Sequence, residues 1–157
     1  MADLLVDALR DIVGATNVLT DSDMRAGYET DWLGTRRAAA RCVVRPVTVS
    51  EVQAVVRECA AMGARIVPQG GNTGLCGGAT PRPAGSHPVG EVVVCLTRMN
   101  RIVEVDAVNR VSVVEPGVIN LQLQEALAPL LLGRAQVQAD AQVIAAYLGE
   151  TRVAANA

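Results

Sequence analysis

The 157-residue chain contains no lysine, and all fourteen of its basic side chains are arginine. A P-loop lysine and a Schiff-base lysine are therefore excluded. Phenylalanine is absent too, and Tyr28, Trp32 and Tyr147 are its aromatic residues. Nucleic-acid binding by base stacking needs more aromatic platforms than that. A net charge of −2 gives no basic footprint either. His87 is the sole histidine, and Cys42, Cys59, Cys76 and Cys95 form no C-x-x-C pair. That set does not build a zinc site, and no metal is expected. The four thiols read as reduced core residues. His87 has no partner spaced to orient it and reads as a surface residue. No signal-peptide pattern opens the chain and no apolar run is long enough to span a bilayer. The expectation is a soluble, cytoplasmic protein without a transmembrane segment.

Half of the residues are hydrophobic, enough for a real core. The most distinctive stretch is 66–80, where Gly70, Gly71, Gly74, Gly77 and Gly78 follow a short apolar run. Glycine reaches positive φ cheaply and lets backbone N–H groups approach a ligand closely. Successive N–H groups in a concave turn form a nest for anions such as phosphate. Asn72 and Thr73 add side-chain donors to the same loop. The glycines do not fit G-x-G-x-x-G, so an NAD-type dinucleotide fingerprint is excluded.

The order of elements places this loop. Leu5, Leu9 and Ile12 share one face of a predicted helix over 3–13, which Gly14 ends. The Asp21-Ser22-Asp23 cluster suits the cap of a brief helical turn. Residues 28–37 lack periodicity and read as an extended loop, with Trp32 as a core plug. Residues 41–45 predict a strand. Thr48 and Glu51 form a capping box for a helix over 49–62, burying Val52, Val55, Val56 and Cys59. A strand at 65–67 then leads into the glycine loop. Strand, helix and strand make a βαβ unit, which puts the loop at the carboxyl end of a parallel strand, where ligands of open α/β sheets bind. Residues 81–90 read as a surface loop and 91–96 as a buried strand. Residues 101–106 and 110–115 alternate as an antiparallel hairpin, and a helix follows over 118–130, ending near Pro129. The fold class is thus α+β: an α/β-type first lobe, about 1–96, then the start of a second, antiparallel lobe, about 97–130.

Five blocks resemble, in order, the FAD-binding domain of PCMH-type flavoproteins of the vanillyl-alcohol oxidase superfamily. They are Tyr28 to Gly34; Val44 to Pro46 with Ser50 to Val52; Pro68 to Ala79; Leu96 to Ile102; and Val114 to Val118. The likeness covers about 17–128. It is nearest to the bacterial FAD-linked D-2-hydroxyacid dehydrogenases, which include glycolate oxidase and the D-lactate and D-2-hydroxyglutarate enzymes. The resemblance implies FAD as cofactor. Gln69, Gly70, Gly71, Asn72, Thr73 and Gly74 would wrap the FAD pyrophosphate with backbone N–H groups, with Pro68 before them also among the cofactor-binding residues. Leu75, Gly78 and Ala79 would line the cofactor channel. Met99, Asn100, Pro116, Gly117 and Val118 would pack on the adenosine side.

The family's second glycine block, expected some twenty residues after Pro116-Gly117, is replaced here by 131–140, and no residue matches a catalytic base. The resemblance therefore implies an N-terminal portion of the domain with a divergent helical tail at 131–157. Within that tail, 137–150 is similar to the C-terminal end of ATP-binding subunits of branched-chain amino-acid transporters, a match one helix long. Two functions follow. One is the FAD-binding portion of a flavin-dependent oxidoreductase acting on D-2-hydroxyacids, catalytically incomplete alone. The other is a non-catalytic remnant or interaction module from a truncated or fused reading frame, prone to self-association or completed by another polypeptide.

Overall fold

The structure, a computed structural model, describes residues 3–83 and 85–131. The expectations for the tail beyond Leu131 lie outside the described residues. Two compact units make up the chain: one runs to Arg101 and takes in Glu115–Val118, and the other holds Ile102–Val114 and the segment from Ile119 onward.

The first unit is built on α1 (Leu4–Val13), a short 3-10 turn (Ala15–Asn17), β1 (Val18–Leu19), α2 (Ser22–Glu29), β2 (Cys42–Val44), α3 (Val49–Ala61), β3 (Arg65–Gln69) and β4 (Glu91–Cys95). Its sheet has the order β1-β2-β4-β3, with β2 and β3 each parallel to β4 and β1 antiparallel to β2. The two strands of the βαβ unit are thus not neighbours, because β4 inserts between them. β4 is accordingly buried along its whole length. Pro68 is tolerated in β3 because β3 is an edge strand, where one missing N–H leaves no ladder bond broken on the open side.

Side chains alternate across this sheet and divide the core in two. Leu5, Leu9, Val13, Cys42, Val44, Val55, Cys59, Val92 and Val94 pack together where α1 and α3 cover one face. Leu19, Val43, Val67, Val93 and Cys95 form the cluster on the other, with Tyr28 against it. On α3, Val55 and Cys59 are buried, Val52 is half-buried, and Val56 is exposed, contrary to expectation. The buried stripe is only as wide as the 52/55/59 row, and Val56 lies about a hundred degrees round the helix from Val55.

Capping fixes both helix starts. The Thr48 Oγ1 accepts the Glu51 N–H at 3.1 Å, and the Glu51 carboxylate accepts the Val47 N–H at 2.7 Å. Asp21 caps α2 through the N–H groups of Asp23 and Met24. α2 then continues through Tyr28 and Glu29, where the sequence pattern predicts a loop. Its last turn carries a largely buried ion pair, Arg25 to Glu29 at 2.9 Å. Glu29 also accepts the Ala40 N–H at 2.8 Å, and Arg25 donates to the Ala40 carbonyl. Trp32 is not a core plug: it is 66% exposed, on a turn that closes by hydrogen bonds among residues 29–38.

At the start of the chain, Arg41 grips Asp3 with Nε and Nη2 at 3.0 and 2.7 Å and donates Nη1 to the Val89 carbonyl. This ties the cap of α1 to the start of β2. Its guanidinium holds the Asp3 carboxyl below the usual carboxylate range. His87, expected at the surface, is half-buried, and its Nδ1 is buried without a partner among the described residues.

The second unit contains an antiparallel hairpin of β5 (Ile102–Asp106) and β6 (Val111–Val114), with a bulge between Ile102 and Glu104, and α4 (Asn120–Leu131) with Pro129 inside it. Asp106 accepts the N–H groups of Val108 and Asn109 at 3.0 and 2.9 Å, an Asx turn that sets the hairpin. No helix of the described residues is long and apolar enough to cross a membrane.

Candidate functional site: the glycine loop

β3 ends at Gln69, and the chain passes directly into the glycine loop, with no helix among the described residues from there to residue 90. Gln69 is 2% exposed, and its side-chain amide does the closing. Nε2 donates to the Tyr28 carbonyl and to the Ala79 carbonyl, both at 2.8 Å. The second bond joins the loop's last residue to its base, so residues 69–79 form a closed lariat.

Asn72 supplies the second clamp. Its Nδ2 donates to the Thr30 carbonyl at 2.7 Å and more weakly to the Gly27 carbonyl at 3.4 Å. Asn72 sits at φ +54, a left-handed conformation that Asn tolerates better than most residues. The expectation that its side-chain donor serves a ligand is corrected here: that donor faces inward and binds the loop to α2 and the turn after it.

The loop's own N–H groups are placed differently. Among the described residues, none of the N–H groups of residues 70–79 donates to a protein acceptor. Gly71, Thr73, Gly74, Leu75, Cys76 and Gly78 are exposed. The clamps are made by side chains and carbonyls, and the run of N–H donors is left without a protein acceptor among the described residues. Cys76 is exposed as well, in contrast to buried Cys42, Cys59 and Cys95, so the reading of all four thiols as core residues fails at this one.

The later sequence blocks come to the same place within the first unit. A Cβ added to Gly70 would stand 3.8 Å from the Pro116 carbonyl oxygen. Gly117 donates its N–H to the Met99 carbonyl at 2.8 Å, and a Cβ there would run into the Leu96 and Met99 carbonyls. Only glycine permits that approach. Met99 is buried beneath the contact, while Asn100 and Pro116 are exposed and Val118 is half-buried. Arg101 and Glu115 lock the two segments together at 2.7 Å, and the Arg101 guanidinium holds the Glu115 carboxyl below its ordinary value. Gly70 therefore lies next to Pro116, whereas Leu75 and Gly78 are exposed.

Four residues at the loop's far end escape the sequence reading: Arg36, Arg37, Thr80 and Arg82. With Gly77 and Cys76 they line a cleft of about 540 Å³. Asp31 shapes the turn that presents the first two, accepting the Arg36 N–H at 2.8 Å and the Thr35 hydroxyl at 2.9 Å. The Arg36 N–H keeps the Asp31 carboxyl below its usual range. The signal available in sequence is the Arg36-Arg37 doublet in a chain without lysine.

Comparison with known proteins gives this arrangement a class. A family profile described as FAD binding domain matches residues 40–151, most of the chain, and the chain belongs to that family. Among curated relatives it is similar to the D-2-hydroxyglutarate dehydrogenase of Stutzerimonas stutzeri, 38% identical over 121 residues. That alignment covers 77% of this chain and 25% of the relative. Glycolate oxidase subunit GlcD of Escherichia coli is 33% identical over 122 residues, covering 78% and 23%. Among solved structures, p-cresol methylhydroxylase with substrate bound superposes with a TM-score of 0.67 at 28% identity, over 82% of this chain and 27% of that one. An alkyldihydroxyacetonephosphate synthase shares the fold at a TM-score of 0.68 and 20% identity, over 81% and 25%. The fold is that of the PCMH-type flavoproteins, and the chain spans about a quarter of the length of these relatives.

Proposed function

We propose that this chain is the FAD-binding portion of a flavin-dependent oxidoreductase acting on D-2-hydroxyacids, and that the glycine-rich loop 69–78 holds the FAD pyrophosphate. The observation that carries the reading is the division of labour in the loop. Gln69 and Asn72 fix its shape, and its backbone N–H groups stay free to donate. A pyrophosphate fits that donor set, because amide-to-anion hydrogen bonds are charge-assisted and contribute about 1.5–3 kcal/mol each. Preorganised donors need no rearrangement on binding. Met99, Asn100 and Pro116 to Val118 would border the adenosine end, and Leu75, Gly78 and Ala79 the way toward the flavin ring. FAD, when bound, supplies the two-electron acceptor for oxidation of an alcohol carbon. The described residues would bind and orient it, and no catalytic base is assigned among them. The D-2-hydroxyacid class rests on the 38% and 33% identical relatives.

Titrating the purified chain with FAD and with riboflavin, followed by flavin fluorescence, tests this reading. FAD is expected to bind at least tenfold more tightly, because riboflavin carries no phosphate. Equal affinity, or no affinity for either, contradicts it.

A second reading is a non-catalytic module that self-associates. The exposed Val103, Val111 and Val113 of the β5–β6 hairpin favour it. Sedimentation velocity that shows a monomer at all concentrations removes it.

A further inference from the structure

The cleft at the far end of the glycine loop is not used by the pyrophosphate reading. Arg36, Arg37 and Arg82 line it, and no acidic residue does. Elsewhere Arg10, Arg25, Arg41 and Arg101 each pair with a carboxylate, whereas Arg57, Arg65 and Arg110 are exposed and line no part of this cleft. Among the described residues the guanidinium groups of Arg36, Arg37 and Arg82 make no hydrogen bond and no direct ion pair, although Asp31 is near enough to feel the Arg36 charge. Three like charges in one concavity repel one another and concentrate a positive potential there.

Thr80 adds an independent observation. It lines the same cleft, it is 7% exposed, and its Oγ1 is buried with no hydrogen-bond partner. Leaving a buried hydroxyl unsatisfied is unfavourable by about 1–3 kcal/mol. A ligand oxygen that displaces the cover over this hydroxyl would satisfy it.

The backbone holds these groups in place. Arg37 bridges Thr30 across the turn, and Asp31 accepts the Arg36 N–H, so the doublet sits on a closed turn. Gly77, at φ +69, lets the Arg36 side chain lie across the loop. A Cβ at 77 would come within 2.8 Å of the Arg36 Cδ. Arg82 is anchored by its backbone N–H to buried Glu91 at 2.7 Å, which leaves its guanidinium free.

We propose that this cleft is an oxyanion site, taking a phosphate or carboxylate group through the guanidinium groups of Arg36, Arg37 and Arg82 and the Thr80 hydroxyl. Guanidinium matches such groups with two parallel N–H donors, and a neutral hydroxyl completes the set. The anion is either a phosphate of FAD itself or a separate small oxyanion. The proposal does not rest on FAD binding.

Calorimetric titration of the full chain with inorganic phosphate at low salt tests it. The Arg36→Gln/Arg82→Gln double variant is expected to weaken binding at least tenfold. Thr80→Val should weaken it several-fold, and Arg57→Gln, an exposed arginine on α3, should leave it unchanged. Arg36 and Arg82 are exposed, so the double variant stays interpretable if Thr80→Val fails to fold. Repeating the titration with saturating FAD separates the sources. Loss of phosphate binding places an FAD phosphate in the cleft, and persistence of it places a separate anion there. No phosphate binding by the unaltered chain, equal binding by the double variant, or an equal loss in Arg57→Gln overturns the proposal.

Discussion

Asn72 carries two burdens in one side chain. It adopts a left-handed backbone and ties the loop to carbonyls more than forty residues earlier in the chain. Two substitutions separate these. Asn72→Gly keeps the backbone conformation and loses the clamp, whereas Asn72→Ala loses the clamp and adds a strained φ of about 1–2 kcal/mol. Both are expected to weaken FAD binding, with Ala also lowering the thermal midpoint more than Gly. Equal FAD affinity for Asn72→Gly and the unaltered chain, measured by fluorescence, would show that the clamp does not preorganise the loop. The glycines and Gln69 were legible in sequence because spacing alone marks a loop after a strand. The inward direction of the Asn72 amide was not, since its acceptors lie in a distant segment whose helix extends further than its sequence pattern predicts. Trp32 defied the pattern for a related reason: its exposure follows from the closed turn at 29–38, which has no periodic signature.

At the scale of elements, α3 was the most legible, because Thr48 and Glu51 announce its start locally. β1 was not visible at all. Two residues carry no period, and Val18-Leu19 becomes a strand only because β2 offers an edge to pair with. The extension of α2 through Glu29 likewise depends on Arg25 and Ala40 together. α1 contributes the largest fully buried side chains of the helix-covered face, Leu5 and Leu9. Leu9→Ala is expected to destabilise the first unit by about 3 kcal/mol, through lost burial and a residual cavity. Urea unfolding checks it, and a loss below about 1 kcal/mol would mean that α1 does not belong to the cooperative core.

For the molecule as a whole, the class α+β and the parallel placement of β3 before the loop follow from the sequence pattern. The insertion of β4 between β2 and β3 does not, because strand order is set by packing between segments and not by any local period. Core burial also gives a pH dependence. Burial pushes the Cys42 thiol up to about 12 and the Cys59 thiol up to about 11. Both folded values lie above the unfolded thiol value of about 8.5. Their contribution to stability is therefore complete below about pH 8.5 and is lost as pH rises through the folded values. The urea midpoint is expected to fall progressively above about pH 8.5, and less steeply in Cys42→Ala. An equal fall in both would remove the thiols as its cause.

Amide NMR observes the loop's N–H groups directly. On addition of FAD to the labelled chain, the largest shifts are predicted at the amides of Gly70 to Ala79, with riboflavin leaving most of them unmoved. FAD shifts that fall elsewhere, or riboflavin shifts equal to those of FAD in the loop, would contradict a pyrophosphate held by this backbone.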